Sequence, residues 1–405
     1  MQFNAFFSYL SARACVSLTS SMMSVAIGWH LYQLTGNPFD LAMIGLMQII
    51  PILALFIFTG WVVDHVPRKL VLVSCVAAET LLMSMVALVM TADDVNRYQV
   101  FGLLFLLGCS RAFYRPAQEA ILPNIVEKAY FPRAVAITAV VYNTASTAGP
   151  FLAGLLLAWI DLKIYWSLAL LNLASTIFFL FLPRLAHVRP SGRGLSQVLG
   201  GIRYIKQSPI VLGCISLDLL AVLFGSVMAL LPVYASDILH VGPTELGLLR
   251  GMPALGAVMF GLVMARMGQM RHSGRLLFIS LVLFAFSILI FAYSTTLWIS
   301  LLALWLYGGV DTISVNVRST LIQIATPNEL RGRVSAVNTI FIASSNQLGD
   351  FRAGSVAALL SPVTTVAIGG LMALGVAIGG YYLFPNIRKL DKLTDADADA
   401  EPAKD

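Results

Sequence analysis

Charge is what this chain has least of. Asp, Glu, Lys and Arg make up 11% of its 405 residues, against about a quarter in an ordinary soluble domain, while 58% of the residues are hydrophobic. That balance excludes a soluble globular protein and points to an all-α chain that crosses a membrane many times. Cysteine is scarce too: Cys15, Cys75, Cys109 and Cys214 all fall in apolar runs with no paired spacing, so neither a disulfide framework nor a thiolate metal site is expected. The five histidines are scattered, and the chain lacks a nucleophile motif, a glycine-rich phosphate loop and a Walker lysine. No metal, no cofactor and no enzyme active site are expected, so any transport must run on an ion gradient or on the cargo's own gradient. A cleavable leader is not expected either. The first apolar run, Phe3 to Leu34, far exceeds a signal-peptide core of about 7–15 residues, carries Arg13, and is followed by no small-residue cleavage site.

What is present is a series of apolar runs. Taking about 20 apolar residues per crossing, twelve spans are expected, at about 5–33, 39–63, 70–90, 99–121, 133–159, 163–183, 209–233, 244–266, 275–293, 297–320, 333–357 and 362–384. The loops after the even-numbered spans hold most of the bases, among them Arg68, Lys69, Lys128, Arg133, Arg184, Arg189, Arg266, Arg271, Arg331 and Arg333. Basic residues stay on the cytoplasmic side, so both termini are expected in the cytoplasm of a cell with a bacterial-type inner membrane. The net charge of +6 then records orientation in the bilayer and carries no expectation of nucleic acid.

Shifting the sequence by 200 residues lays Arg133, Ala136, Gly149, Phe151, Ala153 and Gly154 on Arg333, Ala336, Gly349, Phe351, Ala353 and Gly354, and Leu104, Leu106 and Gly108 on Leu304, Leu306 and Gly308. One offset across two consecutive spans implies two six-helix halves in parallel orientation. The expected organisation is a bundle over 1–183, a basic cytoplasmic linker over 184–208 that can form a short amphipathic helix, a bundle over 209–387, and an acidic tail over 388–405. That tail interleaves Asp395, Asp397, Asp399 and Glu401 with alanine, and with no apolar face it is expected to be disordered.

The loop after the second span places Gly60, an acid four residues on at Asp64, and the basic pair Arg68 and Lys69 four beyond that. Twelve spans, a six-plus-six repeat and this loop resemble the major facilitator superfamily across essentially the whole chain. The family's usual small residue before the basic pair is replaced by Pro67. The resemblance implies alternating access by rocking of two halves about a midplane site. Gly60 would end a helix, Asp64 would latch the cytoplasmic gate, and Arg68 and Lys69 would anchor it at the interface. The matching stretch of the second half reads Gly261 to Arg266, with Ala265 where the acid would stand. In the fifth span, Gly149, Pro150 and Gly154 resemble the antiporter motif of facilitator exporters, with Ala153 at one glycine position. Small residues there permit close helix approach, and Pro150 can bend the helix. The stretches Pro116 to Val126 and Gln323 to Val334, together with Asn346 to Asp350, are similar to the subgroup that holds the enterobactin exporter and the macrolide efflux proteins.

An ionisable side chain at a helix centre costs about 2.5–3.5 kcal/mol, so those retained face a cavity or a partner. Arg13 lies in span one, Arg111 in span four, Asp218 in span seven and Asp311 in span ten, the four spans that line the cavity in the fold the resemblance implies. On the functional reading, Arg13 and Arg111 attract carboxylate, catecholate or hydroxamate oxygens, because the planar guanidinium stays charged and binds two oxygens at once. Asp218 or Asp311 would then exchange the coupling proton. On the structural reading these arginines and aspartates form gating salt bridges instead. Tyr142 and Tyr307 are candidates to stack on an aromatic cargo, and Asp350 with Arg352 to close a periplasmic gate. The partners expected are a small-molecule cargo, protons and the lipid bilayer, and the expected state is a monomer. The chain reads as a proton-coupled exporter of a siderophore or similar anionic metabolite. Its alternatives are a multidrug or macrolide efflux pump, an uptake permease, and a non-transporting membrane receptor or assembly partner.

Overall fold

The structure, a computed structural model, describes residues 3–183, 195–267 and 272–390, apart from the side chains at 3, 57, 64, 195–199 and 267. The expected linker residues 184–194 and tail residues 391–405 lie outside the described residues, as does the side chain of Asp64. Among the described residues there is no strand. The helices are α1 (Phe3–Thr35), α2 (Pro38–His65), α3 (Arg68–Met90), α4 (Arg97–Ile125), α5 (Phe131–Ile160), α6 (Ile164–Leu180), α7 (Leu195–Gln207), α8 (Pro209–Gly225), α9 (Leu231–Val233), α10 (Pro243–Met267), α11 (Ser273–Ala292), α12 (Leu297–Ile324), α13 (Asn328–Leu359), α14 (Pro362–Leu383) and α15 (Pro385–Arg388). Among the described residues, nine stretches are long and apolar enough to cross a membrane, one of which, Lys128–Leu180, holds both α5 and α6. The long helices α4 and α13 fall outside that set. They are the ones that carry Arg111, Arg115 and Glu119, and Arg331, Arg333, Asp350 and Arg352.

Local chemistry sets the boundaries. Asn96 accepts from the Tyr98 N–H at 2.9 Å to open α4, and Ser361 accepts from the Thr364 N–H at 3.1 Å to open α14. Pro209 and Pro362 occupy first-turn positions of α8 and α14, where the missing N–H has no partner to lose. Past the end of α1, Gly36 adopts φ +60° and donates to the Tyr32 carbonyl at 2.8 Å, a left-handed stop that glycine takes without strain. Gly60 does not end α2, contrary to expectation. The helix runs through it to His65, and Pro67 makes the break, since it has no N–H to donate and disfavours helical geometry at Val66.

Two compact units emerge. One comprises Met1–Gly36, Met43–Arg193 and Val241–Gly251; the other comprises Asn37–Ala42, Gly194–His240 and Met252–Asp405. Within the first, α1 packs on α5 and α6, and α3 on α4 and α6; within the second, α8 packs on α13 and α14, and α11 on α12 and α14. The neighbour pattern is the same in both, with α7 added on α13 of the second unit. Each has its own apolar core, around Tyr9, Leu72, Ile121 and Phe179 in the first and Cys214, Leu277, Leu321 and Ile387 in the second.

Glycine seams give the register of the repeat. Gly149 closes on Ser21 and Leu18, as Gly349 closes on Ser226 and Leu223; Gly108 closes on Gln48, as Gly308 closes on Pro253; Gly154 closes on Pro243 and Gly247, as Gly354 closes on Pro38 and Ala42. The offset is 200 for α4 and α5 against α12 and α13, and 205 for α1 and α2 against α8 and α10 (Ser21 to Ser226, Gln48 to Pro253). This corrects the pairing of the two loops. Gly60 corresponds to Ala265, and Gln269, four positions on, lies outside the described residues and is not an acid.

Candidate functional site

The polar side chains inside the first unit converge on two arginines. Arg13 of α1 donates to the Tyr9 hydroxyl at 3.3 Å, and its guanidinium lies over the Tyr142 ring of α5, 5.6 Å from the centroid. Tyr9 in turn donates to the Gln118 carbonyl at 3.3 Å. Arg111 of α4 donates to Gln48 Oε1 at 2.5 Å and to Ser20 Oγ at 3.3 Å. Glu79 of α3, only 1% exposed, lies within the field of Arg111 and beside the Ser110 side chain. Both arginines thus sit on neutral acceptors and a ring, leaving much of their donor capacity for an anion.

The second unit carries the opposite sign. Arg318 of α12, 3% exposed, reaches Asp218 Oδ1 of α8 at 2.6 Å and Asp311 Oδ1 at 3.8 Å. Asp218 is 15% exposed and Asp311 36%. One buried cation therefore faces two carboxylates, the nearer tightly held and the farther more open. Toward the other end of the same helix face, Tyr307 packs at a 34° tilt against Phe284 with centroids 4.6 Å apart and lies within the field of Asp311 and Asp350.

The remaining expected residues serve helix ends. Arg68 donates to the Ala120 carbonyl at 2.7 Å and to Asn124 at 3.3 Å, and Lys69 donates to the carbonyls of Leu180, at 2.8 Å, and Leu182. Both bases satisfy carbonyls near the ends of α4 and α6, where the helix dipole favours a cation. Arg352 does the same for α8, donating to Leu223 O at 3.0 Å and Phe224 O at 2.7 Å, while Ser226 donates to Asp350. Arg250 donates to Ser24 at 2.8 Å within the first unit. Gly149 and Gly154 each lie where a Cβ would meet a neighbouring helix, 2.5 Å from Ser21 Cβ and 2.7 Å from the Pro243 carbonyl. The two glycines allow close helix packing.

A family model described as a transmembrane secretion effector matches residues 2–403. The chain belongs to that family of major facilitators. It is 26% identical over 286 residues to the enterobactin exporter EntS of Citrobacter koseri, covering 69% of this chain and 68% of that one. With EntS of Shigella boydii it shares 25% identity over 283 residues, 68% of each chain. Among solved structures, a bacterial homologue of the iron transporter ferroportin in its inward-facing state matches with a TM-score of 0.71 at 17% identity, covering 96% of this chain and 98% of that one. A variant of the nucleoside transporter NupG matches with 0.72 at 14% identity, covering 94% and 100%. At such identities the structural likeness establishes the fold, the all-helical major facilitator fold. As a major facilitator, the chain is a transporter integral to the membrane.

Two parts of this major facilitator escaped the sequence reading. Arg318 follows Asp311 by seven residues, two turns along one helix face, with Ser314 between them, a spacing that marks a shared lining; it was hidden by lying close to the expected end of its span. His30, among histidines that look scattered, binds Asp161 through Nε2 at 2.8 Å and Tyr165 through Nδ1 at 3.0 Å. That tie joins residues 131 positions apart, which no local pattern announces.

Proposed function

We propose that this secretion effector exports an anionic small molecule, a siderophore or a chemically similar metabolite, in exchange for protons. The observation that carries the reading is the triad Arg318, Asp218 and Asp311. With Arg318 held at 2.6 Å by Asp218, that pair is electrically complete, and an ionised Asp311 adds an uncompensated negative charge in an apolar setting. Binding one proton at Asp311 restores neutrality, so the site alternates between a loaded and an unloaded state as access changes. The first unit supplies the complementary sign: Arg13 beside the Tyr142 ring offers a cation and an aromatic face together, which suits a catecholate, and Arg111 offers a second cation. The names of the EntS relatives favour the same cargo class.

In this reading residues 1–183 and 209–387 are two six-helix bundles joined by a cytoplasmic linker, each contributing six of twelve crossings. Both termini and the tail face the cytoplasm, and a monomer suffices. Gly60, Asp64, Arg68 and Lys69 form the cytoplasmic gate, and Asp350 with Arg352 hold the opposite one.

The test is a deletion strain grown under iron limitation, with the siderophore measured by mass spectrometry in cells and medium, beside purified protein in liposomes under an imposed pH gradient. Cellular retention of the siderophore and gradient-driven flux support the proposal. Asp311→Asn should remove the response to the gradient, and Arg111→Gln should lower flux of the anion by about ten-fold or more, the worth of one charged hydrogen bond. Unchanged siderophore with raised drug sensitivity would instead indicate a drug pump, and binding of a protein partner with no flux under any gradient a receptor.

A further inference from the structure

Away from the arginines and aspartates of the transport site, the foot of α11 and the end of α14 enclose a cavity of about 460 Å³ in the second unit, lined by His272, Arg275, Tyr381, Arg388, Lys389 and Leu390. Three of these six residues are permanent cations and none is an acid. The Arg388 guanidinium lies over the Tyr381 ring at 4.7 Å, which fixes its direction. The walls are rigid. Gly274 donates its N–H to the Leu390 carbonyl at 3.2 Å, a Cβ on Gly274 would fall 1.9 Å from the Ile387 carbonyl, and Ile387 is fully buried in the core of the unit. The cations are therefore held together by the fold, at the positive end of the α11 dipole. Like charges gathered in a concave site repel one another, and an anion bound there offsets the repulsion.

From Arg275 an exposed apolar ridge continues up α11 through Ile279, Leu283, Phe286 and Ile290, at helical spacing, beside Ile378, Tyr382 and Leu383 of α14. Cationic cavity and apolar ridge together match a molecule with a phosphate at one end and hydrocarbon at the other. A free phosphate would use the cavity alone. We propose that this cavity binds the phosphodiester headgroup of an anionic lipid of the phosphatidylglycerol class, with its acyl chains along α11 and α14.

The test uses the full chain in detergent, with phosphatidylglycerol, phosphatidylcholine and inorganic phosphate as probes, read by native mass spectrometry and by thermal stabilisation. Retention of phosphatidylglycerol over phosphatidylcholine, weakened about thirty-fold by the double substitution Arg275→Gln with Arg388→Gln, supports the site, since each basic residue at a membrane surface contributes on the order of a factor of five. Arg388→Lys keeps the charge and should bind within about three-fold of the parent, which separates loss of binding from loss of folding. Equal retention of both lipids, or unchanged binding by the double variant, overturns the proposal. So does inorganic phosphate binding as tightly as the lipid. Shortening the chain to end at Leu390 should leave lipid binding unchanged; if binding appears only then, the chain's own acidic residues occupy the cavity and the lipid proposal fails.

Discussion

The two units share a skeleton and differ in the sign of what they present. By the register of the glycine seams, Arg13 corresponds to Asp218 and Arg111 to Asp311, so each of these two arginines of the first unit is an aspartate in the second. Their surroundings are recast to match. Asp218 is held by Arg318, whereas the position equivalent to Arg318 is Gln118, which serves through its backbone carbonyl as the acceptor for Tyr9. The seams are indifferent to this inversion, because they are made largely of backbone and of small side chains. A duplicated fold can thus keep its packing while its intramembrane charges are changed residue by residue.

The largest way to break the comparison is at a seam. A Cβ on Gly308 would lie 1.9 Å from the Pro253 carbonyl and 2.5 Å from its neighbouring backbone atoms, while a Cβ on Gly108 would lie 2.8 Å from the Gln48 carbonyl and from the Pro51 ring. Gly308→Leu should leave no folded protein, because the approach to backbone there is 1.9 Å against 2.8 Å at Gly108, and overpacking of this severity exceeds about 3 kcal/mol. Gly108→Leu should give folded but weakened protein. Size-exclusion profiles of the two variants check this, and equal recovery would mean that the seams are not the shared skeleton.

The next effect concerns charge. Arg318→Gln strips the largely buried Asp218 and the more open Asp311 of their cation and should cost about 3–5 kcal/mol, read as a large fall in the melting temperature of the detergent-solubilised protein. Adding Asp218→Asn should return most of it, since the charge left behind is then removed. Gln118→Ala, at the equivalent place in the first unit, should change stability little, because only its backbone is engaged. If Gln118→Ala were as damaging as Arg318→Gln, the contrast drawn between the units would fail.

How far these features were legible in the sequence depends on their range. The repeat was visible at an offset of 200 because glycines and phenylalanines at seams recur at fixed intervals, and the transport site's charges were visible because each is costly in an apolar helix. The five-residue change of offset in α1 and α2 was not visible, since Ser21 and Ser226 are ordinary residues whose equivalence appears only when Gly149 and Gly349 are seen to rest on them. Gly60 misled for the opposite reason: glycine permits a helix end without requiring one, and Pro67, which does require it, stood seven residues on. The roles of Arg68, Lys69 and Arg352 as caps depend on which carbonyls lie nearby, and those come from residues about 50 to 130 positions away, beyond any motif.

The smallest test is at the helix corners. The turn from α5 to α6 places Asp161 at φ +44°, a conformation that is strained for a side chain other than glycine, and His30 holds it there, its Nε2 on Asp161 and its Nδ1 on Tyr165. By the offset of 200, Asp161 corresponds to Ser361 and Tyr165 to Thr365. In the second unit that corner is self-capped: Ser361 accepts from the Thr364 N–H, and Thr365 donates back to the Ser361 carbonyl at 2.9 Å. His30→Gln should therefore destabilise the first unit by about 1–2 kcal/mol, the cost of leaving the buried Tyr165 hydroxyl and a strained corner without their partner. Ser361→Ala should cost about 1 kcal/mol, as the loss of an ordinary N-cap does. The distinguishing measurement is amide hydrogen exchange at each corner. His30→Gln should speed exchange at residues 158–166 and leave 358–366 unchanged, and Ser361→Ala should do the reverse. Exchange that spread equally over both corners in either variant would show that the two units do not hold their turns independently.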